Sequence, residues 1–311
     1  MAVKLPIIKR PWVAKEIMSS KVFAWLLIVP VLVFFAVWNV VPFLWMLGLS
    51  FYRYYPTFGM PPVFIGLNNF VSLMQDTSVW ARIGTTFIFM VGAVGTETIL
   101  GILIGFAFWG RRHMFGRRLA LTLLFSPMVL APVAVGTFFR LIYDPLYGIV
   151  PYYLHVLFGI PEPNLLGSSH TAMLAVLITD VWMWTPFMTM MTIAALGAVP
   201  KAVLEAANVD RLSIGQRLKY VLWPYGKSIL LLGVVLRTID AFKTYGLVAA
   251  MTAGGPGNAT DLLSITLYRK GFVSFNMGSG SALALFTLFV AVALTSVYLY
   301  LLKNRESEAG S

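Results

Sequence analysis

The chain has no cysteine in its 311 residues, which excludes disulfides, thiol catalysis and cysteine-based metal sites. Histidine is nearly as scarce. His113, His155 and His170 are dispersed and show no metal-ligand spacing. Neither H-E-x-x-H nor G-x-S-x-G occurs, and the only Gly-Lys, Gly226-Lys227, lacks the upstream glycine of a phosphate-binding loop. If ATP drives this protein, another chain hydrolyses it. Charge is the largest deficit: 11% of residues are charged, against about 25% in soluble domains. With 59% hydrophobic residues, the chain cannot cover a water-facing surface and reads as an integral membrane protein. The net charge of +11 does not point to nucleic acid, because the Lys and Arg residues sit in short loops rather than on one face.

A bilayer core needs about 20 apolar residues of helix. Six runs meet that length, at about 22–47, 84–109, 119–142, 171–194, 228–250 and 281–302, so the expected fold is an all-α membrane protein with six transmembrane helices. Pro30, Pro42, Pro127, Pro132 and Pro186 fall inside these runs, where packed neighbours can re-satisfy freed carbonyls. Residues 1–21 are basic, but the run that follows is too long for a signal-peptide core and has no small-residue cleavage site, so the first span is expected to be retained. One set of connections, namely the N-terminal segment, Arg111 to Arg118, the 195–227 loop and the tail 304–311 with its flank, holds sixteen Lys and Arg; the other holds four. The positive-inside rule then places both termini in the cytoplasm and makes 22–303 the transmembrane domain.

The 195–227 loop is a polar island. Pro200 suits the first turn of a helix over "KAVLEAANV". Ser213 and Gln216 have capping-box spacing and open a second helix, with Ile214, Leu218, Val221 and Leu222 on one face and Pro224 marking a bend or break. The pattern describes a helix, turn and helix in the interface plane. It either anchors the loop to lipid or docks a cytoplasmic protein through the small Ala206 and Ala207.

"EAANVDRLSIGQRLKYVLWP", residues 205–224, resembles the EAA loop of ATP-binding-cassette importer permeases: Glu205, Ala206, Ala207, Asp210 and Pro224 match, while Arg211 and Leu212 stand where Gly and Ala are usual. "FIGLNNFVSLMQDTSVW", "WTPFM", "LRTIDAFKTY" and "TAGGPGNATDLLSITLYRKGF" follow the order of the carbohydrate-uptake, maltose and glycerol-phosphate transporter-like permeases, over about residues 20–303. Tyr245 and Gly246 replace the Phe-Asp often found in that family. The resemblance implies a type I importer transmembrane domain carrying a sugar, sugar alcohol or related solute across a bacterial or archaeal inner membrane. It implies as partners a second homologous permease subunit, two copies of a cytosolic ATPase that hold ATP and Mg, and an extracytoplasmic solute-binding protein, all in membrane lipid. Closure of the ATPases would reach the spans through Glu205, Ala206, Ala207, Asp210 and Arg211.

Ionisable residues at mid-membrane are costly and face an interior or water. Glu97 and Asp180 fall near the centres of the second and fourth spans, and Arg237, Asp240 and Lys243 form an i, i+3, i+6 series in the fifth. Arg237 and Asp240 are close enough on a helix to form a structural ion pair, as are Asp240 and Lys243. The alternative is a solute path lined by Glu97, Asp180, Asp240 and Lys243, with Trp182, Trp184 and Tyr245 offering flat apolar faces. Two other functions stay open: a stand-alone proton-coupled carrier using Glu97, Asp180 or Asp240, and a lipid-modifying membrane enzyme, which would need a catalytic cluster at one interface.

Overall fold

The computed structural model describes residues 20–109, 115–160 and 163–309. The basic segment before Ser20, together with Arg111, Arg112 and His113, lies outside the described residues.

Helix α1 (Ser20–Phe35) passes through a π turn (Ala36–Val40) into α2 (Val41–Leu49). Pro42 lies in the first turn of α2, and its missing N–H is absorbed by the wider π turn rather than by a kink. Every residue from Val22 to Trp45 is exposed in the isolated chain, and contact with the rest begins near Ser50. A short hairpin follows, β1 (Tyr52–Arg53) pairing antiparallel with β2 (Val63–Phe64). Asn69 on α3 (Asn68–Gln75) holds it by donating to the carbonyls of Ser50 and Tyr52 at 2.8 and 3.0 Å.

The body of the protein is built on two long helices. Asp76 caps α4 (Thr77–Phe108) by accepting from the Ser78 N–H at 2.9 Å. That bond, with Lys270 3.5 Å away, holds the Asp76 carboxyl below its ordinary value. Helix α8 (Ala172–Gly197) packs along α4 at a distance only glycine permits. A Cβ on Gly101 would stand 2.5 Å from Met188 Cβ, and one on Gly105 would stand 2.5 Å from Thr192 Cγ2. Close backbone approach through small residues is how helices gain contact in lipid, where burial from water is not available as a driving force. The 32 residues of α4 extend about 48 Å, enough to cross the apolar core with tilt.

The third expected span, 119–142, is not one helix. α5 (Arg117–Phe125) continues through a 3-10 turn (Pro127–Val129), and α6 (Pro132–Ile142) leaves at 99°. Pro127 and Pro132 cause the break: Leu130 and Ala131 between them are extended, the conformation a following proline imposes on its neighbour. α7 (Ile149–Phe158) follows α6.

The fifth expected span also differs. After α9 (Lys201–Val209), helix α10 (Ile214–Arg217) runs through a π turn (Leu218–Leu222) straight into α11 (Trp223–Phe242). The second amphipathic stretch is therefore the start of the span and not a separate surface helix, and Pro224, at the first turn of α11, neither bends nor breaks it. At its other end α11 stops at Phe242, and α12 (Gly246–Met251) turns against α6, where a Cβ on Gly136 would meet the Leu247 carbonyl at 2.7 Å. The Ser264 hydroxyl satisfies the Thr244 carbonyl freed by this turn. Helices α13 (Leu263–Tyr268) and α14 (Met277–Ala309) complete the bundle. Its core gathers Phe89, Ala93, Val176, Met183, Phe242, Leu247, Leu263 and Leu283.

Gly101→Leu is expected to force α4 and α8 apart and cost about 1 to 3 kcal/mol of stability. Thermal denaturation of the purified protein in detergent checks this; an unshifted transition would show that the helix contact is not as tight as described.

Candidate functional site

Three helices meet at Arg237. Its side chain is 1% exposed and its guanidinium faces three carboxylates. Nε and Nη2 donate side-on to Glu97 of α4 at 2.8 and 3.0 Å. Nη2 also donates to Asp180 of α8, and Nη1 donates to Asp240, one turn along α11, at 3.2 Å. The Trp184 ring lies 5.0 Å from the guanidinium carbon. Bidentate, charge-assisted bonds of this kind are the strong ones, and a buried charge is tolerated only when so paired.

The expected pair of Arg237 and Asp240 is therefore one edge of a larger network. Glu97 and Asp180 are 0% and 1% exposed and are held by Arg237, so in this conformation they face no open path. Asp240, its side chain 39% exposed, is the one carboxylate of the three that reaches the surface of the chain. Lys243 does not pair with Asp240: the helix ends at Phe242, Lys243 is exposed, and it has no ion pair among the described residues. Trp182 lies beside Phe139 with ring centroids 5.1 Å apart, and Tyr245 packs at 5.0 Å on Tyr268, which stacks on Phe272.

At one end of the bundle α9 presents Glu205, Ala206, Asp210 and Arg211 to the outside. Ala207 is turned inward, 3% exposed, against Val199 and Val221, so only the first of the two adjacent alanines offers a free surface. Arg211 occupies the place where glycine is usual and makes the turn itself, at φ 52°. The Leu212 N–H bonds the Ala207 carbonyl at 3.1 Å, closing the helix end. A non-glycine residue there carries a cost of about 1 kcal/mol. The Ser213 capping box is formed, with Ser213 N–H donating to Gln216 Oε1 at 2.8 Å and the Gln216 N–H returning to Ser213 Oγ at 3.4 Å.

At the other end lies a constellation that the sequence reading did not single out. Asp261, 1% exposed, accepts from Arg82 at 3.0 Å and Arg269 at 3.1 Å. Thr252 and Thr260 share a 2.7 Å hydroxyl bond in the same loop. These contacts tie the "TAGGPGNATD" loop to the first turns of α4. The available signal was one acid in a Gly-rich loop opposite two of the few cations on that side.

The site is thus a bundle of apolar helices tied at its centre by buried charge, with an amphipathic helix at one end. The chain belongs to the family of binding-protein-dependent transport system inner membrane components, whose model matches residues 97–306. It is 32% identical over 278 residues to the trehalose/maltose transport system permease protein MalF of Thermococcus litoralis, covering 88% of this chain and 92% of that protein. To the sn-glycerol-3-phosphate transport system permease protein UgpA of Agrobacterium fabrum it is 28% identical over 293 residues, covering 93% and 97%. Its fold matches a chain of a bacterial ABC transporter involved in import of the acidic polysaccharide alginate, with a TM-score of 0.78 at 18% identity, over 91% of this chain and 96% of that one. The protein is a multi-pass, inner-membrane permease subunit of an ABC importer, and residues 205–224 carry the EAA motif typical of such subunits. Membership decides against the stand-alone carrier and the lipid-modifying enzyme.

Arg237→Met is expected to destabilise the protein by about 3 to 5 kcal/mol, because it strands two buried carboxylates. The combined variant Arg237→Met, Glu97→Gln, Asp180→Asn should regain most of that loss, whereas Asp240→Asn alone should cost about 1 kcal/mol or less. Denaturation midpoints of the three proteins decide; equal losses in Arg237→Met and the triple variant would show that Arg237, Glu97 and Asp180 do not act as a unit.

Proposed function

We propose that this subunit forms one half of a translocation path for a sugar, sugar alcohol or related carbohydrate-like solute. A second, homologous permease would form the other half. Two cytosolic ATPase subunits, holding ATP and Mg, would dock on α9, and an extracytoplasmic binding protein would deliver solute to the far end. Both termini would then lie in the cytoplasm, with the α9 end of the bundle.

The observation that carries this reading is the placement of α9. It leaves Glu205, Ala206 and Asp210 free at the end of the bundle, while Ala207 packs on Val199, just past α8, and Val221, in the π turn leading into α11. A push on α9 is therefore a push on the helices that carry Asp180 and Arg237. The names of the relatives favour a carbohydrate-like solute. At the opposite end a cavity of about 390 Å³, lined by Arg140, Tyr143, Asp144, Asn164, Thr252 and Pro256, has the polar and aromatic character that suits hydroxylated molecules. Asp240, Lys243, Trp182, Trp184 and Tyr245 are the candidates for contact along the path. Glu97 and Asp180 act through Arg237 instead.

Glu205→Lys is expected to lower binding-protein-stimulated ATPase activity of the assembled transporter about tenfold or more, the effect of losing one charged contact at an interface. Membrane insertion should be unchanged. Wild-type stimulated ATPase in this variant would remove the docking role from α9.

A further inference from the structure

Beside α9 lies a second cavity, of about 540 Å³, within the size range of ligand pockets and far larger than one water needs. It sits where the spans end. Phe108 and Trp109 close α4, Leu196 is in the last turn of α8, and these give the cavity apolar walls continuous with the membrane-crossing part of the bundle. Trp109 is fixed in place, with Phe106 edge-on at 5.7 Å and the Arg217 guanidinium 4.9 Å from its ring centroid.

The polar part of the lining is unbalanced. Arg117 and Lys201 contribute two cations and Glu205 one carboxylate. Neither cation has an ion-pair partner among the described residues, and Arg117 Nε is buried with no acceptor. An unsatisfied buried donor is costly and uncommon in a native protein, more so when it is charged. Arg117 is the first residue of α5 and Lys201 the first of α9, so two helix N-termini stand at the same cavity, and that end of a helix favours an anion. An anion with an apolar stem matches the two cations, which outnumber the single Glu205 carboxylate, and the apolar wall: charge at Arg117 and Lys201, and the stem along Phe108 and Leu196.

We propose that this cavity binds the phosphate of an anionic membrane phospholipid, held by Arg117 and Lys201, and that the bound phosphate bridges α5 to α9. Basic pockets between helices at the cytoplasmic membrane surface hold lipid headgroups by this chemistry. The α5–α6 break and the ATPase-facing helix are thereby linked through a lipid rather than through a side-chain contact.

The test uses the assembled transporter in nanodiscs of phosphatidylcholine alone or of phosphatidylcholine with phosphatidylglycerol. Native mass spectrometry reads retained phosphatidylglycerol, and stimulated ATPase activity reads coupling. Each of Arg117→Gln and Lys201→Gln is expected to weaken retention about fivefold. Arg118→Gln, which removes an adjacent charge outside the cavity, should leave retention as in the wild type, and the charge-keeping pair Arg117→Lys with Lys201→Arg should preserve it. Equal retention in the wild type and the two Gln variants would overturn the proposal. So would equal loss in the charge-keeping pair, which would assign the effect to packing. Full stimulation by millimolar inorganic phosphate in phosphatidylcholine nanodiscs would overturn the lipid as the source of the anion. Retention that responds to these variants without any change in ATPase activity would overturn the bridge from α5 to α9.

Discussion

The bidentate bond between Arg237 and Glu97 is the constraint on which the bundle depends. A guanidinium in the apolar interior has to be paired, and its partners come from helices separated by 140 and 57 residues of chain. Satisfying that one side chain therefore fixes how α4, α8 and α11 sit relative to each other. The glycine contacts between α4 and α8 bring the backbones close enough for Glu97 and Asp180 to reach the same guanidinium. Packing and electrostatics are thus mutually dependent: either alone would leave the other strained or unsatisfied.

The two ends of the bundle are treated differently. At the α9 end Glu205, Ala206, Asp210 and Arg211 are exposed, and the helix end is closed by its own hydrogen bonds. At the far end the loop after α12 is held by Asp261 and its two arginines, again by charge rather than by apolar burial, since the loop offers few apolar side chains. Between them the turn at 243–245 and the proline break at 130–131 interrupt the spans. α6 and α12, which follow these interruptions, pack directly on each other. These two interruptions are thus gathered into one region, where the Ser264 hydroxyl satisfies the freed Thr244 carbonyl.

Much of this could be read from the sequence, for identifiable reasons. Long apolar runs announce helices because lipid admits few alternatives, and the Ser213 capping box and the EAA pattern are local signals whose geometry depends on adjacent residues. What the sequence hides is pairing at a distance. Arg237 with Asp240 is visible as an i, i+3 pair, but nothing in the linear pattern selects Glu97 and Asp180 as the stronger partners of Arg237. The interruptions are hidden for a related reason. Proline marks a place where the helical bond pattern changes, yet whether that change becomes a 99° break, as after Pro127, or a π turn, as at Pro42 and Pro224, depends on the neighbours available to accept the freed groups.

The order in which the charged residues occur has a consequence for biogenesis. Helix α1 is made before α4, α8 and α11, and its exposed apolar surface needs nothing but lipid to be stable. Glu97 arrives next and Asp180 after it, each a single carboxylate in a helix that is otherwise apolar enough to enter the membrane. Arg237 comes last, on one of the less apolar of the long helices. By then both of its buried partners are already in the bilayer. Vectorial synthesis thus presents the guanidinium to a waiting acidic pocket, and the most costly residue to insert never has to wait unpaired for a partner that has not yet been made.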